Sequence, residues 1–135
     1  MKTIIAILLL NTYSIDGIIE VLKIVETQGK ATEIGDNGRA YGILQIHKEC
    51  VIDVNRVYGT NYVHSDAFKE SVAEDIFKKY ISIGISYYKK RYNKEPTEED
   101  VVRMWNGGCY SGYLYPSTKK YYNKYLAYKN KVLHM

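Results

Sequence analysis

The sequence is poor in the residues that interrupt or cross-link a chain, with two prolines and two cysteines among 135 residues. So few prolines leave long helices uninterrupted, and helix-forming residues are abundant, so we expect a mainly α-helical domain. A single pair of cysteines, Cys50 and Cys109, is too small a set for a disulfide scaffold. Whether these two thiols pair with each other stays open at this point.

Several signatures of chemistry are also missing. The chain has no phosphate-binding loop, no Cys-x-x-Cys pair, no His-Glu-x-x-His and no Gly-x-Ser-x-Gly. The three histidines, His47, His64 and His134, lack the spacing of metal ligands. We therefore expect no metal site and no cofactor. A cysteine nucleophile, Cys50 or Cys109 with His47 as its base, remains an unfavoured alternative.

Basic residues exceed acidic ones by a small margin, which gives a net charge of +4. No run of lysine or arginine is long enough for a nucleic-acid-binding tail, so nucleic acid is not an expected partner. The mild positive charge favours anionic polymers such as those of cell walls. The aromatic residues are 15 Tyr, 2 Phe and 1 Trp. A surplus of tyrosine suits a surface that holds sugar rings, although codon bias in an AT-rich genome would also produce it.

The N-terminus has the pattern of an export signal. Lys2 precedes a short apolar run at 3–10, and the small residues Thr12 and Ser14 suit cleavage after Ser14. The run is too short to span a bilayer, so stable membrane insertion is not expected. A buried first helix or an uncleaved anchor is the alternative. We predict a signal peptide over 1–14 and a single, monomeric domain over 15–135, secreted or periplasmic.

Hydrophobic spacing predicts five helices in that domain. The first covers 16–27, with Asp16 as its N-cap and Gly29 at its end, and the second covers about 43–57. The third covers 65–91 and begins at Ser65 or Asp66. The fourth follows Thr97, which forms a capping box with Asp100, and the fifth covers 117–132. Between the first two helices, Asp36-Asn37-Gly38 predicts a short β-hairpin in a glycine-rich loop.

An acid lies where helix physics does not favour one. Glu26 falls in the last turn of the first predicted helix, where a carboxylate opposes the negative end of the helix dipole. Apolar neighbours would raise the pKa of such a group, as a proton donor in glycoside cleavage requires. The loop that follows offers Asp36 and Glu33 as second carboxylates. We therefore take Glu26 as a candidate general acid.

Three ordered motifs carry a resemblance to a known family. They are VETQG around Glu26, AYGILQI at 40–46, and RMWNGG at 103–108. Together they resemble the lysozyme-like superfamily, which includes soluble lytic transglycosylases and the goose-type and invertebrate-type lysozymes. The chain most resembles small phage or bacterial endolysin-like members, over residues 16–128. The resemblance implies a lysozyme-like helical fold and cleavage of peptidoglycan glycan strands.

The resemblance also implies roles for single residues. Glu26 matches the catalytic proton donor, and Asp36 matches, with an offset of one residue, the second carboxylate of invertebrate-type enzymes. The implied substrate-binding residues are Thr27, Tyr41, Gln45, Trp105, Asn106, Gly107 and Tyr121. The invertebrate-type enzymes are rich in disulfides and this chain is not, so Asp36 could instead serve the turn alone.

The expected activity is that of a muramidase that cleaves the β-1,4 bond between N-acetylmuramic acid and N-acetylglucosamine. Two alternatives stay open. A lytic transglycosylase would act on the same bond with one acid and give 1,6-anhydro products. A protein of the same fold would bind glycans without cleaving them. A helical scaffold that binds acidic polymers by charge alone is a more distant reading.

Overall fold

The computed structural model describes residues 13–133 of the chain. Within that range the protein is mainly helical, as the sequence predicts, with five α-helices and one small antiparallel sheet. The helices are α1 (Ile15–Thr27), α2 (Lys48–Tyr58), α3 (Glu70–Tyr92), α4 (Glu98–Gly107) and α5 (Pro116–Leu133). The strands are β1 (Ile34–Gly35), β2 (Ala40–Tyr41) and β3 (Ile46–His47). Two 3₁₀ turns, His64–Phe68 and Gly112–Leu114, complete it.

Helix α1 forms as predicted, but its N-cap is not the predicted residue. The Ser14 hydroxyl accepts a hydrogen bond from the Gly17 N–H (2.9 Å), while Asp16 lies inside the first helical turn. A serine oxygen in that position satisfies one of the amides left unpaired at a helix start. The helix ends at Gln28, which adopts the left-handed conformation with φ 54°. The predicted last residue, Thr27, is confirmed, and the left-handed cap is Gln28 where the sequence suggested Gly29.

The predicted export signal falls mostly on residues 1–12, which lie outside the described residues. The two residues before α1 are described and are in contact with the domain. The Tyr13 hydroxyl donates to the Pro96 carbonyl (2.8 Å), and Ser14 caps α1. Cleavage after Ser14 would remove both contacts.

The hairpin predicted at Asp36-Asn37-Gly38 is present and joins β1 to β2. The sheet also has a third strand, β3, where the sequence predicts the start of a helix. The reason is local backbone geometry. Gly42 and Gln45 both have positive φ, 80° and 54°, so residues 42–45 turn back and β3 pairs with β2. Helix α2 consequently starts at Lys48, five residues later than predicted.

The third predicted helix begins differently from the expectation. The stretch expected to start it at Ser65 or Asp66 is a 3₁₀ turn, and α3 starts at Glu70. Asp66 does act as a cap, because its Oδ2 accepts a hydrogen bond from the Val63 N–H (2.8 Å). The predicted capping box of α4 is confirmed. The Asp100 N–H donates to the Thr97 hydroxyl (3.1 Å), and the Thr97 N–H donates to Asp100 (2.9 Å).

One apolar core holds these elements together. It collects side chains from all five helices, from the turn before β3 and from β3 itself, and burial of each large aliphatic side chain contributes about 1.5–3 kcal/mol. Its fully buried members include Ile19, Leu22, Leu44, Ile46, Ile76, Phe77, Val101 and Met104. Cys50 and Cys109 belong to this core as free, buried thiols. In the described part of the chain, no helix is both long enough and apolar enough to cross a membrane.

Candidate active site

A cleft of about 370 Å³ opens between the small sheet and the helices. Its lining residues are Glu26, Asp36, Ala40, Gln45, His47, Glu49, Cys50, Tyr80, Trp105, Asn106 and Gly108. Five of the nine residues that the resemblance assigns to the site, Glu26, Asp36, Gln45, Trp105 and Asn106, therefore share one cavity, although they are spread over 81 positions of the chain. Three acids, two amides, an imidazole and an indole line the same space, which suits a polar ligand with flat apolar faces.

Glu26 reaches the cleft from the last turn of α1. The residue keeps partial exposure to the cleft, while its carboxyl group is largely enclosed. Burial raises the pKa of this carboxyl above its ordinary value, and hydrogen bonds from Tyr121 and Trp105 oppose that shift in part. Since burial is the stronger effect, Glu26 holds its proton at a higher pH than an exposed glutamate does.

The two oxygens of the Glu26 carboxyl group have different surroundings. Oε2 accepts hydrogen bonds from the Tyr121 hydroxyl (2.6 Å) and the Trp105 indole N–H (3.3 Å). Oε1 accepts none from the described residues. In the protonated acid the hydrogen therefore belongs on Oε1, since Oε2 already has two donors aimed at it. Burial also raises the pKa of Tyr121, so its hydroxyl remains a donor.

Trp105 and Asn106 lie side by side near the end of α4 and both line the cleft. The Trp105 ring packs against Phe77 at a centroid distance of 4.6 Å and against the edge of Tyr80 at 5.9 Å. These contacts place one part of the indole against the core and leave another part facing the cleft. Gly107, the third residue of this motif, instead packs against Gly112 and Thr118, where a side chain would not fit.

Asp36 lies at the hairpin turn on the opposite side of the cleft. Its backbone is left-handed, with φ 49°, as the turn requires. Its Oδ1 accepts a hydrogen bond from the Arg39 guanidinium (3.1 Å), and its Oδ2 lies 3.2 Å from His47 Nε2. Both carboxylate oxygens therefore have a cationic or titratable neighbour. The side chain is 45% exposed, so this acid differs from Glu26 in both solvation and charge.

Gln45 lines the cleft from the turn before β3 and not from a helix, contrary to the prediction. Its amide nitrogen donates to the Gly42 carbonyl (3.0 Å) and the Glu33 carbonyl (3.3 Å). The side chain thus ties β1 to the turn that follows β2. Glu33 takes part through its backbone, and its carboxylate is not among the groups that line the cleft.

Four of the residues expected to bind substrate do not line the cleft: Thr27, Tyr41, Gly107 and Tyr121. The Thr27 hydroxyl is buried and donates to the Ile43 carbonyl (2.9 Å), which fastens the end of α1 to the turn before β3. The Tyr41 ring stacks on His64 at a centroid distance of 3.7 Å, on the other face of the sheet. The Tyr121 hydroxyl does not line the cleft and instead donates a hydrogen bond to Glu26 Oε2.

Three lining residues, His47, Glu49 and Tyr80, were not predicted as part of this site, and His47 was suggested only as a base for a cysteine nucleophile. His47 is the most consequential omission, since it is paired with Asp36. The register of the sheet explains this pairing. Gly35 is paired with Ala40, and Ala40 is paired with His47, so the three residues are neighbours across the strands. Asp36 follows Gly35 directly. Recognition of β3 as a strand would therefore have brought His47 beside Asp36.

No protein-family model, no curated protein and no solved structure matches this chain. Within residues 13–133, no group of three or more histidine, cysteine and acidic side chains is arranged to hold a metal ion.

Proposed function

We propose that this protein is a peptidoglycan-cleaving glycosidase, an endolysin-like muramidase of the lysozyme-like type that acts outside the cytoplasm. The observation that carries the proposal is the state of Glu26. It is a largely enclosed carboxyl group with a raised pKa, and it faces a cleft that also contains Asp36. Glycoside cleavage needs a carboxyl group that holds its proton until it is given to the leaving oxygen. It also needs a group across the sugar ring that stabilises the positive charge of the transition state.

In the proposed reaction, Glu26 Oε1–H donates its proton to the oxygen that links N-acetylmuramic acid to N-acetylglucosamine. The bond from the sugar carbon to that oxygen breaks as the proton arrives, and positive charge develops on the sugar ring. The resulting Glu26 carboxylate is stabilised by its hydrogen bonds from Tyr121 and Trp105. The negative charge of Asp36, on the opposite side of the cleft, favours the cationic ring.

The rest of the lining suits a glycan. The exposed part of the Trp105 indole offers a face for a sugar ring, and the Asn106 amide can both donate to and accept from an acetamido group. The Gln45 amide is held by two backbone carbonyls, so its position is set before a ligand arrives. The net charge of +4 favours approach to an anionic wall.

One observation favours a second candidate function, that of a lytic transglycosylase. Both oxygens of Asp36 are engaged, by Arg39 and by His47, which suits a structural and electrostatic role better than that of a nucleophile. A mechanism with one acid would then let the 6-hydroxyl of the substrate itself attack the sugar carbon. The products would carry 1,6-anhydro ends.

Product analysis on purified peptidoglycan tests the proposal. We expect the wild-type protein to release soluble muropeptides with reducing ends, whereas anhydro ends would replace the hydrolase by the transglycosylase. Glu26→Gln should lower kcat by about 10²–10⁴-fold, the usual contribution of a general acid. Because Gln retains an oxygen for Tyr121 and Trp105, we expect the variant to fold normally.

Glu33→Gln is the matched control. Its carboxylate is the nearest in sequence to the cleft acids but does not line the cavity, so its rate should equal that of wild type. Unchanged clearing of cell walls by Glu26→Gln would show that Glu26 is not the acid. Binding to peptidoglycan without release of any product would support the non-catalytic glycan-binding alternative.

A further inference from the structure

His47 lies at the junction of the sheet and α2, and it lines the same cleft as Glu26. It is the residue before α2, in the N-cap position, but its side chain does not cap the helix. The imidazole instead points its Nε2 at Asp36 Oδ2, 3.2 Å away. The side chain is 43% exposed, so solvent and a ligand can both reach it.

The partner on Nε2 decides what the other ring nitrogen can do. A carboxylate oxygen 3.2 Å from Nε2 favours a hydrogen on that nitrogen. In the neutral ring Nδ1 then has a lone pair and can only accept a proton. Asp36 is itself held by Arg39, which fixes the orientation of the carboxylate. Arg39 therefore holds Asp36, and Asp36 holds His47. This is the arrangement of a general base, His47, that is oriented by a carboxylate.

We propose that His47 Nδ1 is the general base of this site and that Asp36 is its positioning residue. The inference rests on the proposed glycosidase function and adds a role that neither the motifs nor the resemblance assigns. It also accounts for the engagement of both Asp36 oxygens, which leaves that carboxylate poorly suited to attack a sugar carbon.

The step balances with water as the second reactant. Glu26 gives its proton to the leaving oxygen, which takes the electron pair of the broken bond. The water oxygen forms the new bond to the sugar carbon, and His47 Nδ1 takes the proton that this water loses. After the reaction Glu26 is a carboxylate and His47 is an imidazolium. His47 then loses a proton to solvent and Glu26 takes one from solvent, which restores the starting state. In the transglycosylase variant, the 6-hydroxyl of the substrate takes the place of water.

Three charged groups lie near His47, and they come from two elements, the hairpin turn and α2. Asp36 contacts it from the hairpin turn, Arg39 is bound to the other oxygen of Asp36, and Glu49, the second residue of α2, lines the same cleft. Glu49 is exposed, and the described residues offer its carboxylate no hydrogen bond or ion pair. It is therefore solvated and unpositioned, whereas His47 is held by a partner. This contrast makes Glu49→Gln a useful comparison for His47 variants.

Rates of three variants separate a histidine base from an aspartate base. His47→Gln should lower kcat by about 10²–10⁴-fold with little change in KM for a soluble glycan oligomer. Asp36→Asn should lower kcat less, because Asn donates to Nε2 and puts the ring in the wrong tautomer without removing it. The double variant should be no slower than His47→Gln, since residues that act as a unit are not additive.

Nitrogen NMR of His47 supplies a readout that does not depend on turnover. Wild type should show the hydrogen on Nε2, and Asp36→Asn should move it to Nδ1. A His47→Gln variant as active as wild type, while Glu26→Gln is inactive, would overturn the role of His47 and leave the glycosidase intact. A loss confined to Asp36→Asn or Glu49→Gln would assign the base to that carboxylate. Absence of product from the wild type would overturn both proposals.

Discussion

The helical wall of the cleft carries Glu26, Trp105 and Asn106, whereas the sheet wall carries Asp36, Gln45 and His47. On the helical wall the acid is largely enclosed, and its hydrogen bonds come from neutral groups, a hydroxyl and an indole. On the sheet wall the acid is 45% exposed and its neighbours are a guanidinium and an imidazole. The same chemical group is thus placed in two environments that differ in solvation and in charge.

The difference separates two roles for a carboxyl group. Enclosure by helices disfavours the charged form, so the pKa of Glu26 rises and the group can give a proton. The Asp36 carboxylate is open to solvent and contacts Arg39 and His47, so it can act through its negative charge or through His47. The residues of the helical wall are held in place by packing of their helices on the apolar core. The residues of the sheet wall are held in place by tight turns whose residues have positive φ. Changes to the two walls should therefore differ in kind.

The largest effect on stability should come from the turn that supports the sheet wall. Gly42 has φ 80°, and a Cβ added there would collide with the Ala67 carbonyl. Gly38 has a similar φ of 85°, but a Cβ there would meet nothing within 4 Å. Gly42→Ala should lower the free energy of unfolding by about 3 kcal/mol or more, and Gly38→Ala by about 1–2 kcal/mol. Urea denaturation of both variants measures the difference, and equal losses would show that the close approach is unimportant.

Glu26→Gln should stabilise the protein, and the gain should depend on pH. Burial raises the pKa of Glu26 in the folded state above its value in the unfolded chain. At about pH 3 both states are protonated, so wild type and variant should be equally stable. As the pH rises through the unfolded and then the folded pKa, wild type alone has to enclose a charge. Above the folded pKa the variant should be the more stable of the two.

Urea denaturation at about pH 3 and about pH 8 measures that gain. The sheet wall provides the control, because Asp36→Asn removes an exposed, ion-paired carboxylate and should not stabilise the protein at high pH. A Glu26→Gln variant that is less stable than wild type at high pH would contradict the enclosed-acid interpretation of the helical wall.

Tyr121→Phe should change the pH dependence of activity more than the maximal rate. The Tyr121 hydroxyl stabilises the charged form of Glu26, so its removal should raise the pKa of Glu26 further. The alkaline limb of the rate profile should move to higher pH, while kcat at the optimum falls by less than about tenfold. Tyr122→Phe is the control, because that ring stacks on Tyr125 and does not contact Glu26. A limb that moves to lower pH would contradict the assignment of Glu26 as the acid.

The fold could be predicted where local signals are strong. The Thr97 and Asp100 side chains cap α4 as predicted, and Asp36-Asn37-Gly38 forms its hairpin. The start of α2 could not, because the apolar run at 43–46 fits a helix as well as a strand. What decided it is the left-handed backbone of Gln45, a conformation that residues other than glycine rarely adopt. The loop closed by that residue is what positions β3.

The candidate site could be predicted in part. Glu26, Asp36, Gln45, Trp105 and Asn106 come together in the cleft, as motif order suggested. The sequence suggests His47 only as a base for a cysteine, and its pairing with Asp36 was not predicted because a single histidine without ligand spacing carries no local signal. Its role depends on Asp36, eleven residues away in the sequence. The two residues meet only because of the register in which β3 pairs with β2.

The smallest expected effect concerns the ion pair at the tip of the sheet wall. Arg39 and Asp36 lie 3.1 Å apart, but their side chains are 68% and 45% exposed. Exposed pairs of this kind contribute about 0.2–1 kcal/mol and are screened by salt. Arg39→Ala should therefore lower the free energy of unfolding by less than about 1 kcal/mol, and the difference should shrink in 1 M salt, roughly where screening removes such interactions. Urea denaturation with and without salt measures it. A larger loss of unfolding free energy that salt does not reduce would contradict this expectation. It would mean that the contact between Arg39 and Asp36 is needed for the sheet wall to fold.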